Sequence, residues 1–410
     1  MTGIHSRGLC HVLVALLFGV ALAGAAEPNW KRFVDQGDWF GLRDAAASHP
    51  APDLYAGAVA AAFHNEADAV RILHEVLARG PKSADADTAQ ELLVDLYYRS
   101  GRYRSALEEL KPLFARHPKR RDLLQARPLF EALSVEGDMQ VIARAPARIT
   151  SEDIDGNLFV PVTANGATAE WLLDTGANIS IVSESEAKRI GLTVRNGEAK
   201  TSDYAGAAVS FRAVIVPELR VGGVVLRNVP FGVISDKQEP FADLPEGKRG
   251  VIGIPVLIAA QTWRLSKDGS VEVGFESGGN AGEPGNLAFS GAQPLIQTVY
   301  NGAPLTFCLD TGASSTHLWP LFARRFRAQL SGRGKSQIGG VGGTREAPTA
   351  KLADFRVSAG GHELQIQDVK VLLKSPLSDS RRYYGNFGLD LVQKAERCTL
   401  DFKAMRIAFE

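Results

Sequence analysis

Apolar and polar positions divide this chain into three stretches of different period. The first is an unbroken apolar run from Val12 to Ala23, preceded by Arg7 and followed by small residues through Ala26 before Glu27-Pro28. The run is too short to cross a bilayer. A basic start, an apolar middle and a small-residue end are the pattern of a secretory signal, so residues 1–26 are expected to be removed and the mature protein exported, to a periplasm or out of the cell. From Trp30 to about Ala145 apolar residues recur three and four apart among Ala, Leu, Arg and Glu, the period of helices. From Asn157 onward the pattern changes to short runs of Val, Ile, Phe and Thr broken by Gly, Asn and Pro, the signature of strands and turns. A multidomain protein is therefore predicted, with an all-α unit over 27–145 followed by an all-β region.

Within the helical stretch, the segment from Leu92 through Gly101, Tyr103 and Ala106 to His117-Pro118 resembles a tetratricopeptide repeat. Gly101 would make the turn, Tyr103 and Ala106 would pack between paired helices, and Pro118 would end the second helix. Ala69 with Pro81 repeats the spacing of Ala106 with Pro118, and Gly37-Asp38-Trp39 leading to Pro50 is a third, degenerate candidate. Stacked helix pairs offer a surface to a protein partner; a plain helical spacer is the alternative.

Composition narrows the function. Basic and acidic residues number 46 each in 410 residues. Such a balance disfavours nucleic acid as a partner, which demands a basic surplus. Three cysteines with no CxxC pair, and eight histidines with no HExxH spacing, give no metal site, and no cofactor is implied. His317 is read as a packing or surface residue. Gly334-Lys335-Ser336 lacks the leading glycine of a phosphate loop, because position 329 is Gln, and no Gly-x-Ser-x-Gly elbow is present.

The strongest feature is a repeat inside the β region. Leu172-Leu173-Asp174-Thr175-Gly176-Ala177 is matched, 136 positions on, by Cys308-Leu309-Asp310-Thr311-Gly312-Ala313. Asn165-Gly166 and Asn301-Gly302 stand nine residues before the aspartates, and Asn-Gly between strand-like runs is a strong hairpin signal. Val251-Ile252-Gly253 and Asn386-Phe387-Gly388 follow almost eighty residues after each aspartate, and closing strands end at Glu276 and Glu410. Two lobes, 157–276 and 293–410, joined by a linker over 277–292, are expected.

These motifs resemble those of the aspartic peptidases, and more closely the retropepsin-like branch, in which Asp-Thr-Gly-Ala is followed some eighty residues later by two apolar residues and Gly. The resemblance implies a fused pair of acid-protease barrels, an all-β bilobal unit with one active site in a monomer. Two carboxyls about 3 Å apart cannot both ionise, so they share a proton. The ionised one can take a proton from water while the protonated one polarises an amide carbonyl. Asp174 and Asp310 are the implied catalytic pair. Gly176 and Gly312 would permit the turns that present them, and Thr175 and Thr311 would hydrogen-bond across to the opposite loop. Gly253 and Gly388 would pack beneath the aspartates. Flap tips would fall at Ser202 to Gly206 and at Gly339 to Gly343, with Tyr204, Gly206, Gly340 and Gly342 near the substrate. An extended polypeptide would be the substrate.

Departures from the family pattern carry their own expectations. Ala177 and Ala313 replace the hydroxyl residue of pepsin-like enzymes, which predicts a less acid-shifted activity optimum. Asn386 replaces an apolar residue and is read as altering packing beneath Asp310 without touching the pair. Asp390 and Asp401 are assigned to turns or the surface. Cys308 and Cys398 are read as buried, and either a bridge stapling the second lobe or two free thiols is compatible with the sequence. The function that follows is an exported aspartic endopeptidase. The alternative is a non-catalytic peptide- or protein-binding module on the same scaffold, with the helices doing the docking.

Overall fold

The computed structural model describes residues 27–195, 199–202, 208–278, 284–340, 343–375 and 379–410; the expected signal segment lies outside them. The helical region runs α1 (Trp30–Gln36), α2 (Trp39–Ser48), α3 (Asp53–Ala62), α4 (Glu66–Arg79), α5 (Ala84–Arg99), α6 (Tyr103–Arg116) and α7 (Arg121–Leu133). Local chemistry sets several of its starts. Asn29, Asp38, Asn65 and Ser83 each accept, through the side chain, a backbone N–H of the first turn. Gly101, at φ +71°, makes the sharp turn between α5 and α6, and Tyr103 and Ala106 are fully buried just beyond it.

Helix stops at Leu133, earlier than the three- and four-residue spacing predicts. Residues 140–154 instead form the strands Gln140–Arg144, Ala147–Thr150 and Glu152–Ile154, which join the β region by pairing with 224–227, 270–273 and 157–159. In the same way Leu287–Ser290, assigned above to the linker, is a strand of the second lobe and pairs with Gln293–Ile296.

The lobes are built alike. In each, an Asn-Gly turn with both residues at positive φ joins two antiparallel strands: Asn157–Ala164 with Ala167–Leu173, and Gln293–Tyr300 with Ala303–Leu309. Positive φ at both central positions matches the right-handed twist of the strands, which is why Asn-Gly serves here. A long hairpin follows in each lobe, Ala199–Ser202 with Ala208–Val221 in the first and Leu330–Gly340 with Gly343–Ala359 in the second. A five-stranded antiparallel sheet then unites the lobes, in the order 147–150, 270–273, 262–266, 397–401, 406–409. Trp263 of the first lobe faces Leu400 of the second across it, and one apolar core runs through both lobes.

The helical layer rests on both lobes. Trp39, Phe40 and Leu42 of α2 share a cluster with Ala288, Leu295, Cys308, Trp319 and Tyr383 of the second lobe. Arg99, at the end of α5, donates to Gly291 O at 3.1 Å while its guanidinium lies 4.9 Å from the centre of the Phe289 ring. On the first lobe, Leu129 of α7 packs against the cluster of Phe159, Phe211 and Phe241.

The bridge between Cys308 and Cys398 is absent. Both thiols are free and buried. Cys308 belongs to the cluster facing the helices, whereas Cys398 lies on the shared sheet in the central core, so the two serve different packing layers. No helix among the described residues is long and apolar enough to cross a membrane.

Candidate active site

Each aspartate ends the second strand of its Asn-Gly hairpin, where backbone pairing stops and the chain turns. Asp174 N donates to Ile252 O at 3.0 Å and Asp310 N to Phe387 O at 2.9 Å, so each turn is hung on the short strand that precedes Gly253 or Gly388. Those glycines fit because a Cβ at Gly253 would stand 2.5 Å from Ala177 O, and one at Gly388 2.7 Å from Ala313 O. The next residues close the support: Ile254 N donates to Ala177 O at 2.9 Å and Leu389 N to Ala313 O at 2.8 Å.

Two threonines lock the turns together. Thr175 N donates to Thr311 Oγ1 at 3.0 Å and Thr311 N to Thr175 Oγ1 at 2.9 Å. Each hydroxyl then donates across the interface, Thr175 to Leu309 O at 3.1 Å and Thr311 to Leu173 O at 2.9 Å. Both side chains are fully buried, and every polar atom of the exchange has a partner. This reciprocal set, once made, fixes the separation of the two aspartates.

The carboxyls meet where the lobes join. They hydrogen-bond to each other, and each lies against the other's turn. A Cβ on Gly312 would fall 2.2 Å from Asp174 Cγ, and one on Gly176 2.5 Å from Asp310 Oδ1. The sequence reading assigned these glycines to turn flexibility, but neither has a positive φ. What they supply is the missing Cβ, since any side chain would occupy the opposite carboxyl's place.

Both acids are held above the ordinary carboxylate range. For Asp174 burial is the main cause, with the neighbouring charge of Asp310 next, and it stands well above that range. Burial also raises Asp310, but hydrogen bonds from Asn386 and Asp174 pull it back. Asp174 Oδ1 accepts from Gly176 N at 2.7 Å. Asp310 Oδ1 accepts from Gly312 N and Ala313 N, both at 3.1 Å, and its Oδ2 from Asn386 Nδ2 at 2.8 Å. Asn386 therefore does touch the pair, against the sequence expectation. Its place in an apolar-apolar-Gly pattern made it look like a packing change, and only the short strand's proximity to Asp310 reveals the contact.

Asp390 also has a definite role near the site. Its Oδ1 accepts from Thr316 N at 2.8 Å and Thr316 Oγ1 at 2.7 Å, and Thr316 Oγ1 in turn accepts from Gly388 N at 3.0 Å. In the first lobe Ser180 Oγ accepts from Gly253 N at 3.0 Å, and Pro255 stands where Asp390 would. Asp401 is buried and caps a turn, accepting from Lys403 N and Ala404 N. His317 is half-buried, and burial lowers its pKa.

Of the flap positions, Gly340 ends its strand opposite Gly343. Tyr204, Gly206 and Gly342 lie outside the described residues. Among the described residues no cluster of three or more His, Cys, Asp or Glu could hold a metal ion.

A family model described as aspartyl protease matches twice, over residues 160–256 and 296–391. Among solved structures, a retropepsin-like aspartic protease from Rickettsia conorii aligns at 15% identity, covering 33% of this chain and 93% of its own, with a TM-score of 0.23. A crystal structure of edgp aligns at 12% identity, covering 64% of this chain and 94% of its own, with a TM-score of 0.34. No curated protein matches the chain. Each match to the family model contains one Asp-Thr-Gly-Ala turn, and the two turns meet at a single carboxyl pair; the two-lobed β region of this chain is similar to the aspartyl proteases in both of its halves.

Proposed function

We propose that the chain is an aspartic endopeptidase that hydrolyses peptide bonds in extended polypeptide with a water activated by Asp174 and Asp310. The observation that carries this reading is the hydrogen-bonded carboxyl pair, buried where two lobes meet, with both members raised by burial and Asp174 raised further by the neighbouring charge of Asp310. Such a pair keeps one proton across a wide pH span. The ionised member draws a proton from water as the water oxygen attacks the carbonyl carbon, and the protonated member donates to the carbonyl oxygen. No side-chain nucleophile takes part, so no acyl-enzyme forms. The cover over the substrate backbone is assigned in this reading to the two long hairpins, Ala199–Ser202 with Ala208–Val221 and Leu330–Gly340 with Gly343–Ala359, whose strand pairing supports backbone hydrogen bonding to an extended chain.

Export is part of the proposal and rests on Arg7, the Val12–Ala23 run and the small residues before Glu27. One active unit per chain follows from the two lobes having one sheet in common. The test is cleavage of an unstructured protein across pH by the wild type, Asp174→Asn and Asp310→Asn. The wild type should cleave, and each variant should lose at least a hundredfold in kcat, the scale of a lost general acid or base. A wild type that cleaves nothing but binds peptide would favour the non-catalytic module, and full activity in either variant would exclude the shared-proton chemistry.

A further inference from the structure

The lobes differ beneath their aspartates at a residue outside the repeated turns. Val251 pairs with Leu172, and Asn386 pairs with Cys308, each opposite the residue two before the aspartate. Val251 lies in an apolar cluster with Phe159, Leu172 and Phe241. Asn386 is 3% exposed, and its amide nitrogen reaches Asp310 Oδ2 at 2.8 Å. An amide N–H₂ can only donate, so it is best matched by an ionised oxygen. Asp310 then has donors on both oxygens, with Gly312 N and Ala313 N on Oδ1. Asp174 accepts from Gly176 N on Oδ1 and also from the backbone N–H of Gly312, and among the described residues no side-chain amide donates to it, so it is the member better placed to carry the proton toward Asp310.

We propose that Asn386 is a positioning residue that decides where the shared proton sits, making Asp310 the carboxylate that takes the proton from water and Asp174 the acid that donates to the substrate carbonyl. This rests on the peptidase reading above. The proton balance closes. Water gives one proton to Asp310 as its oxygen bonds to the carbonyl carbon, and Asp174 gives its proton to the carbonyl oxygen. As the C–N bond breaks, Asp310 passes its proton to the leaving nitrogen and Asp174 recovers one from the diol. The groups facing Asp310 are Asp174 from the first lobe, Cys308 on its own strand and His317 on the strand 317–318. Burial keeps the Cys308 thiol neutral and disfavours a charged His317. The Asp390–Thr316–Gly388 chain holds the end of the short strand that carries Asn386; the first lobe keeps the equivalent Ser180–Gly253 link but, with Pro255, lacks the carboxylate behind it.

The test follows the aspartate carboxyl carbons by ¹³C NMR across pH in the intact protein, with Asp174→Asn and Asp310→Asn used for assignment, beside the pH profile of kcat/KM. In the wild type the first of the pair's two apparent steps should appear on Asp310. In Asn386→Val that step should rise by about one pH unit, and the acid limb of kcat/KM should move with it, a roughly tenfold loss of rate below the limb. Exchanging the two residues, Val251→Asn with Asn386→Val, should move the first step to Asp174. A first step on Asp174 in the wild type, or an unmoved step and limb in Asn386→Val, would overturn the proposal. The wild-type titration decides the assignment even if a variant fails to fold. Titration as described with no cleavage at any pH would leave the assignment standing and remove the peptidase reading; cleavage with an unmoved acid limb would do the reverse.

Discussion

The two lobes carry the same turn and hold it differently. Above the aspartates the symmetry is close: the threonine exchange is reciprocal, and each glycine makes room for the opposite carboxyl. Behind them it breaks. The first lobe places Trp171 three residues before its aspartate, with its Nε1 donating to Glu186 at 3.0 Å, and Arg189 binds both oxygens of Glu186 at 2.7 and 2.9 Å. The second lobe has Phe307 and Phe322 at the positions of Trp171 and Glu186. Phe307 stacks on Phe387 at 4.3 Å, and Phe355 lies 6.0 Å from both Phe307 and Phe322. Symmetry is kept where the chemistry needs two equal partners to meet. It is relaxed where any well-packed support will do, and at Asn386, where one partner must differ from the other.

That contrast can be broken by substitution, beginning with the supports. Phe322→Ala should cost about 3–5 kcal/mol of folding stability, the range for emptying a buried aromatic site, and the loss should be independent of pH. Glu186→Gln should cost less, about 2 kcal/mol, because Arg189 keeps partial access to water. Hydrogen bonds from Arg189 and Trp171 outweigh burial and hold Glu186 below the usual carboxylate range. Its contribution is therefore present above that range and lost as pH falls through it. Chemical denaturation of the three proteins at pH 7 and pH 3 should show the wild type losing the Glu186 contribution in acid, with the difference from Glu186→Gln closing and that from Phe322→Ala staying open.

The shared feature is tested at the glycines. Gly176→Ala and Gly312→Ala each place a methyl in the position of the facing carboxyl, so each should lower kcat about a hundredfold, the cost of a misplacement on the ångström scale. Far-UV circular dichroism should be unchanged, which separates the loss from unfolding. An effect confined to one lobe would break the claimed equivalence of the turns.

The smallest effect concerns stability at the aspartates themselves. The folded pKa of Asp174 is raised by burial and by Asp310. Stability from such a group is present at low pH and lost as pH rises through the folded value. Asp174→Asn should therefore raise Tm at pH 7 and leave it unchanged at pH 3, by thermal melts at both values. Asp310→Asn should gain less, because the hydrogen bond from Asn386 already favours the ionised form of Asp310.

Much of this was legible in the sequence, for physical reasons. Asn-Gly fixes a hairpin because few residues accept two positive φ values in succession, and Asp-Thr-Gly-Ala repeated in register marked both aspartates and both threonines. What escaped depended on contacts between distant segments. The strand Gln140–Arg144 has no alternating burial because it lies exposed along a sheet edge, so its pattern resembled the preceding helix. Leu287–Ser290 is too short to stand out beside a Gly-rich stretch. Asn386 looked like a flaw in an apolar pattern, since the partner that explains it is 76 residues away. The sequence left both a bridge and two free thiols open for Cys308 and Cys398, because what decides it is that Cys308 packs in the cluster shared with the helices and Cys398 in the central core.

The most direct measurement is kcat/KM against pH for cleavage of an unstructured polypeptide. Chemistry that needs one carboxyl ionised and its partner protonated predicts a bell-shaped profile with two limbs, peaking at a less acid pH than pepsin-like enzymes because Ala177 and Ala313 bring no hydroxyl to the carboxyls. A profile with a single limb, or a peak in the strongly acid range, would contradict it.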